Sequence, residues 1–407
     1  MIEFSALFVN YNSWRFCVRA LESLLEHPPT RADGSAMEFE VVVVDNDSPQ
    51  RDEENEARLR ELLERMHGKL ILHDENGGYA KGMNLAYEHA SGRYVLVSNP
   101  DVTFTAGCIS GLLRHLEAHD DVGAVAPQLY VDRGLTCRLP PNILPTIGDL
   151  IGTTRVAVSP GYVARYSKKR TVDAMRIWGA VDPVDLPQLS GCCFIMERGV
   201  IERIGLFDPQ FPLYYEDTDL TMRIFKAGLR VVEVPACKLV HFYDRSGQTN
   251  HEEAMRRYWI SRRTFYRKWH GPFGGWLFDF TRWLLDTKWM HRLGKRAPQP
   301  NLIELPSSFD APTVPLPRTM DRFLVEVSMD PRFYLAAGTF GEGDTWRVPE
   351  TLLECFGPIT YYFRICDLGG DQPEEVGIYK YQRTDPEHRL RRATAAAEPS
   401  EPAKDKV

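Results

Sequence analysis

The residues able to do chemistry gather in three short stretches. In "FPLYYEDTDLTMRIF", residues 211–225, Glu216, Asp217 and Asp219 follow two tyrosines and precede an apolar helical pattern. Acids placed there either start a helix favourably against its macrodipole or, part-buried by Leu213, Tyr214 and Tyr215 and repelling one another, form a pair in which one pKa is pushed upward. In "VLVSNPDVTF", Asp101 lies just past a buried strand with Asn99 two residues before it. A carboxylate at a strand end can hold a divalent cation against phosphate oxygens, or cap the next helix. In "ENGGYAKGMNLAYEHASG", Gly77, Gly78 and Gly82 permit close backbone approach while Lys81 and Asn84 offer polar contacts at a helix start, which suits phosphate. The spacing is that of neither a dinucleotide fold nor a P-loop.

The elements that must position these residues alternate between short apolar runs and amphipathic helical patterns from residue 4 to about 130, the signature of a parallel sheet covered by helices. "FSALFV" and "EVVVVD" are the first two strands, with the helix "RFCVRALESLLEH" between them; a polar helix over 52–67, the strand "KLILH", a helix over 80–90 and the strand "RYVLVSNPD" follow. Ligands of such sheets bind outside the carboxyl ends of the strands. Three polar clusters sit at those ends: "VNYN" (9–12), "DNDS" (45–48) and "NPD" (99–101). Each alone also reads as a turn or cap; three in succession favour a polar ligand site.

Residues 129–187 are punctuated by Pro and Gly and weakly patterned, which predicts an excursion over the sheet. Order returns at "LSGCCFIMERGVIERIGLFD", then in a helix over 216–227 stopped by Gly228, and in the strand or strands of "RVVEVPACKLVH". Residues 254–296 then carry eleven Lys or Arg, two Asp and five Trp in a helical pattern. That composition fits interfacial helices near anionic headgroups; it fits equally a helix packed on the preceding domain with snorkelling basic side chains. A Pro-rich linker (299–319), a small β-rich accessory domain (320–385) and a charged, Ala- and Pro-rich tail (386–407) expected to be disordered complete the chain.

The whole chain has 407 residues, 43 % of them hydrophobic, and a formal charge of −7, which fits two or three globular domains and gives no global basic surface for nucleic acid. Its eight cysteines form no C-x-x-C pair, so reduced thiols in a cytoplasmic protein are expected. The N-terminus opens on a strand-like run without a signal-peptide pattern, and no apolar run approaches the ~18 residues that span a bilayer. Contact with a membrane is expected to be peripheral, on its inner face and through 254–296.

In order, "VNYN", "DNDS", "NGGYAKGMN", "SNPDV", "LSGCCFIMER", "GLFDPQFPLYYEDTDLTMR", "AGLRVVEVP" and "VHFYDRSG" resemble the inverting family-2 glycosyltransferases of GT-A fold, most closely the rhamnosyltransferase-like branch, over about residues 4–250. The resemblance implies an α/β catalytic domain (1–250) ahead of the basic helices (251–298). It places Asn10, Asn12 and Asp45 at the base and ribose of a pyrimidine nucleotide sugar, dTDP-rhamnose above all, and Gly78, Lys81 and Asn84 beside the diphosphate. Asp101 falls at the end of the metal motif, with Asn99 replacing its first Asp, and His241, 24 residues beyond Asp217, falls where a histidine can complete a Mg²⁺ or Mn²⁺ site. Asp217 becomes the preferred base, with Glu216 as runner-up, and Asp219 is expected to pair with Arg223 one turn on. The acceptor implied is a hydroxyl of a glycan or lipid-linked oligosaccharide in cell-surface polysaccharide synthesis; self-association is left open. A UDP-sugar-dependent galactofuranosyl or other hexosyl transferase and a catalytically silent glycan-binding scaffold are the alternatives. A sugar nucleotidyltransferase would need a Gly-rich basic loop where "NYNSW" stands.

Overall fold

A computed structural model describes residues 2–156, 159–242, 251–295 and 301–384. The expected disordered tail and residues 243–250, which include the end of "VHFYDRSG" (243–247), lie outside them. The chain divides into two compact units, Met1–Pro298 and Gln299–Val407.

The first unit begins with β1 (Phe4–Asn10), α1 (Trp14–Glu26), β2 (Phe39–Asn46), α2 (Glu53–Glu64), β3 (Lys69–His73), α3 (Tyr79–Glu88) and β4 (Tyr94–Ser98). It continues through β5 (Val102–Phe104), α4 (Cys108–Glu117), β6 (Val122–Tyr130), α5 (Ile147–Val156), α6 (Pro160–Trp178) and β7 (Val184–Asp185). Then come β8 (Cys193–Glu197), α7 (Arg198–Ile204), α8 (Glu216–Lys226), β9 (Arg230–His241), α9 (His251–Leu285) and α10 (Lys288–Lys295). The sheet runs in the order β3-β2-β1-β4-β8-β6-β9-β5, with β7 beside β9. Strands β1, β2, β3, β4, β6 and β9 point one way, while β5, β7 and β8 run against them.

Both faces of the sheet are covered, which is why its strands read as unbroken apolar runs. Phe4, Ala6 and Phe8 of β1 point into one core with Leu21, Leu59 and Leu112, whereas Leu7 and Val9 point into the other with Met83, Leu220 and Ile224. Because β2, β1 and β4 are parallel neighbours, the three polar clusters come out along one edge, with Asn10 opposite Asp45 and Phe8 opposite Ser98. The predicted excursion over 129–187 contains the helices α5 and α6. Their buried Leu150, Ala174, Ile177 and Trp178 are spaced among polar residues and prolines that hide the helical period.

The second unit is a five-stranded sheet, β10 (Leu302–Glu304), β11 (Thr313–Ser328), β12 (Ala337–Arg347), β13 (Thr360–Asp367) and β14 (Glu374–Gln382), with the short helix α11 (Glu350–Leu353). The expected β-rich domain is therefore present, but it reaches back into the Pro-rich stretch 299–319, which supplies β10 and the start of β11. Pro315 is tolerated because this end of β11 pairs only with β12; its partner β13 joins from Phe323 onward.

Candidate active site

The nucleotide end is built by β1 and β2. Asn10, fully buried, donates to the Asp45 carboxylate at 2.6 Å and accepts from the Ser13 N–H at 2.9 Å. Ser48 Oγ donates to the same Asp45 oxygen at 2.5 Å, and the Ser48 N–H reaches the other at 3.2 Å. Asn10 thus fixes the orientation of Asp45. Asn12 takes the left-handed conformation (φ 54°), its N–H bound to Ser48 and its Oδ1 to the Gln50 N–H. The buried Asn12 Nδ2 has no protein partner, a donor left over for a ligand.

The glycine loop precedes α3. Gly78 has φ 87°, and a Cβ there would collide with the carbonyl oxygen of Pro212, so only glycine lets this loop lie against the turn that leads to Glu216. Helix α3 has no side-chain cap, which leaves first-turn N–H groups for an anion. Lys81 is exposed there, 3.9 Å from Glu75. The Asn84 amide donates to the Phe207 carbonyl at 2.8 Å and accepts from the Phe207 N–H at 3.1 Å, which clamps the 207 backbone.

Asp101 and His241 meet, as their spacing in the chain could not guarantee. Val102 of β5 pairs with His241 of β9, the Phe242 N–H donates to the Asp101 carbonyl at 3.0 Å, and His241 Nε2 stands 3.2 Å from Asp101 Oδ1, both side chains buried. Among the described residues no group of three or more His, Cys, Asp or Glu converges. A carboxylate beside an imidazole fits a divalent cation that takes its remaining ligands from a diphosphate and water.

The acids of "EDTD" follow Tyr214 (φ 61°) and Tyr215 (φ 67°), consecutive left-handed residues without glycine, a strain that costs free energy and persists only where the surroundings enforce it. Helix α9 enforces it. Ser261 Oγ donates to the Leu213 carbonyl at 2.8 Å, and Tyr258 and Phe265 pack on Tyr215 with ring centroids 5.8 and 5.4 Å away. Asp219 pairs with Arg223 as expected (2.8 Å) and also takes Lys268 Nζ at 2.7 Å and Trp269 Nε1 at 2.8 Å. The helical segment therefore packs on the preceding domain, one of the two readings its composition allowed, and buttresses the acidic turn.

The two remaining acids differ. Asp217 accepts from the Gly191 N–H at 3.0 Å on one oxygen and from the Thr218 N–H at 2.7 Å on the other. Burial raises its pKa while these bonds oppose the rise. Glu216 is more deeply buried, its Oε2 has no partner, and burial followed by repulsion from Asp217 pushes its carboxyl well above the usual range. Within the pair, backbone N–H groups favour the charged form of Asp217, while burial and the neighbouring charge disfavour that of Glu216.

One dipeptide joins the two halves of the site. The Gly191 N–H binds Asp217, while the Cys192 carbonyl accepts the Asn99 N–H at 2.7 Å, two residues before Asp101. The Tyr79 hydroxyl, from the start of α3, donates to the Gly191 carbonyl at 3.1 Å. Gly191 and Tyr79 were not singled out as site residues from the sequence; "LSG" stood only as one motif among eight. The Cys17 thiol is pushed far up, by burial first and then by the carboxylates of Asp45 and Asp101.

Residues 5–205 match the family model of glycosyl transferase family 2. The chain is 28 % identical over 244 residues to O-antigen biosynthesis protein RfbC of Myxococcus xanthus, 58 % of this chain and 17 % of that protein. It is 27 % identical over 150 residues to the N-acetylglucosaminyl-diphospho-decaprenol L-rhamnosyltransferase of Mycobacterium tuberculosis, 36 % of this chain and 46 % of that protein. Each match thus spans less than half of the relative's length. Among solved structures, a mannosyltransferase of Pyrobaculum calidifontis in complex with GDP-Man and Mn²⁺ is similar at a TM-score of 0.43 and 19 % identity, over 72 % of this chain and 73 % of that one.

Proposed function

We propose, from the premise that residues 5–205 are a glycosyl transferase family 2 domain, that this transferase moves a sugar from a pyrimidine nucleoside diphosphate to an acceptor hydroxyl with inversion. L-Rhamnose from dTDP-rhamnose is the preferred donor, and the acceptor is a lipid-linked glycan of cell-surface polysaccharide synthesis; the name of the mycobacterial relative supports both. The acceptor oxygen attacks the anomeric carbon, the carbon–oxygen bond to the diphosphate breaks with its electron pair leaving on the diphosphate, and the hydroxyl proton passes to Asp217. Asp45, held by Asn10 and Ser48, and Asn12 take the base and ribose. Lys81 and the first turn of α3, behind Gly78, take the diphosphate, and Asn99 lies beside the sugar nucleotide. Asp101 and His241 would hold Mg²⁺ or Mn²⁺. When bound, that ion supplies charge stabilisation to the departing diphosphate.

The observation that carries this reading is the 191–192 dipeptide, which ties Asp217 at one end to the Asn99–Asp101 turn at the other. Asp217 is the better base than Glu216 because its two oxygens are oriented by backbone N–H groups and it keeps partial access to solvent, while Glu216 is buried. A panel of nucleotide sugars, assayed with and without chelator, tests donor and metal together: one donor should turn over, and chelator should stop it. Asp217→Asn should lower kcat by about 10³ or more while isothermal titration shows nucleotide affinity nearly unchanged. A near-wild-type rate would remove Asp217 from the mechanism.

A further inference from the structure

Past its break at Gly271 (φ 67°), α9 is apolar on two opposite faces. Phe278 and Thr281 are buried, with Phe278 stacked on Tyr266 and near Trp259, which fixes the helix with its other side to solvent. That side carries Phe273, Trp276, Phe280 and Trp283, exposed by 62, 57, 41 and 62 %, their ring centroids 5.9, 5.5 and 5.8 Å apart in one unbroken row. Trp289 of α10, 62 % exposed, adds a fifth ring. A surface helix ordinarily puts polar residues there. The same two helices carry exposed cations: Arg267, Lys288 and Arg292 are exposed and Arg282 lies over the Trp259 ring at 4.5 Å, against the acids Asp279, held by Arg263 at 2.8 Å, and exposed Asp286.

We infer that this aromatic row and its flanking Arg and Lys side chains form a membrane-contact surface that seats the protein on a bilayer bearing anionic headgroups. Tryptophan rings settle at headgroup depth, and each exposed cation adds attraction to an anionic leaflet. The mode is lying on the surface, since among the described residues no helix is long and apolar enough to cross a membrane. A second protein is the poorer occupant: at these exposures five rings offer roughly 500–600 Å², short of the ~800 Å² per partner of a stable protein interface. The inference rests on the proposed reaction only for its purpose. The stretch of α9 before Gly271 props the turn ahead of Glu216 and Asp217, so seating α9 on a membrane brings the acceptor side of the site toward a lipid-carried substrate.

The test is sedimentation of the full chain with phosphatidylcholine vesicles, with and without phosphatidylglycerol, at low and high salt. The protein should bind the anionic vesicles, more weakly at high salt, with a blue shift of its tryptophan emission. Trp276→Ser with Trp283→Ser should weaken binding by at least about tenfold, and both positions are exposed enough to leave the circular dichroism spectrum unchanged. Lys288→Gln with Arg292→Gln should reduce the preference for phosphatidylglycerol. Absence of binding at low salt, or equal binding by the double Trp variant, overturns the inference. So does a dimer in analytical ultracentrifugation that the double Trp variant abolishes while vesicles bind neither protein. Donor hydrolysis without vesicles reads the enzymatic proposal separately: its loss with vesicle binding intact overturns that reading and leaves this surface standing.

Discussion

Two adjacent carboxylates, Glu216 and Asp217, occupy one buried turn with different partners, and the difference assigns them different work. Asp217 has three hydrogen bonds to its oxygens, from Gly191 and from the N–H and hydroxyl of Thr218, whereas Glu216 Oε2 has none. These bonds favour the Asp217 carboxylate, and its charge adds to the burial that raises Glu216. Glu216→Gln should keep turnover within about tenfold of wild type and leave the acid limb of the kcat/KM profile unmoved, because that limb reports Asp217. A loss as deep as that of Asp217→Asn would make Glu216 the base. Stability has its own sign. A carboxyl whose pKa is raised on folding favours the folded state fully below its unfolded value, and that contribution fades as pH rises through the raised one. Thermal unfolding of the wild type should thus fall relative to Glu216→Gln as pH increases above the ordinary carboxylate range, with the two converging in acid. Asn10 and Asn84 show the limit of reading single residues. Both are Asn at the right place in the chain; one binds Asp45 and the other the Phe207 backbone, and such partners are settled only by the fold.

Elements built from local periodicity were legible, and those defined by distant partners were not. The strands β1, β2 and β4 and the polar clusters at their ends follow from unbroken apolar runs that two covered faces require, and α8 ends before Gly228 (φ 77°) as expected. Helices α5 and α6 were hidden by flanking prolines, and the start of β11 by Pro315 and Pro317, which a one-sided pairing tolerates. The largest gap was α9. Its basic, aromatic composition allowed either a packed helix or an interfacial one; the stretch before Gly271 packs on the acidic turn, and the stretch after it exposes one face. The first stretch joins α8 through Asp219, which is fully buried and takes Arg223, Lys268 and Trp269, while Arg223 donates onward to the carbonyls of Ile204, Gly205 and Leu206. Removing the charge from the centre of such a network takes the carboxylate from the largely buried Arg223 and leaves Lys268 only its second acid, Asp208 at 2.6 Å. Asp219→Asn should cost about 3 kcal/mol in urea unfolding, and turnover should fall with it because the Tyr214–Tyr215 turn loses its support. Unchanged stability would mean that Lys268 and Arg223 find other partners at no cost.

At the scale of the whole chain, every residue assigned to the site, from Asn10 to His241, belongs to the unit Met1–Pro298, and the unit that follows carries a core of its own. That second core consists of fully buried Phe323, Val325, Phe363, Ile365 and Tyr381 on one face of the sheet, while Phe333 packs with Ala336 and Ile378 on the other. A buried ion pair crosses the sheet from β13 to β11: Arg364 Nε donates to Glu326 at 2.7 Å, and the guanidinium lies 4.5 Å from the Phe333 ring. The strands pair locally as hairpins, β11 with β12 and β13 with β14, so no element is borrowed from elsewhere in the chain. These features argue that residues 301–384 fold by themselves. A domain of that size buries only about 60 % of its unfolded surface and has a stability near the low end of 5–15 kcal/mol. Expressed alone, it should give a β-type circular dichroism spectrum, dispersed amide resonances and one cooperative thermal transition. Arg364→Ala, which strands the buried Glu326 carboxylate at a cost of about 3–5 kcal/mol, should bring that isolated unit to the edge of unfolding at room temperature. A fragment without amide dispersion would show that this sheet depends on the rest of the chain. A fragment indifferent to Arg364→Ala would show that the ion pair contributes nothing net to its stability.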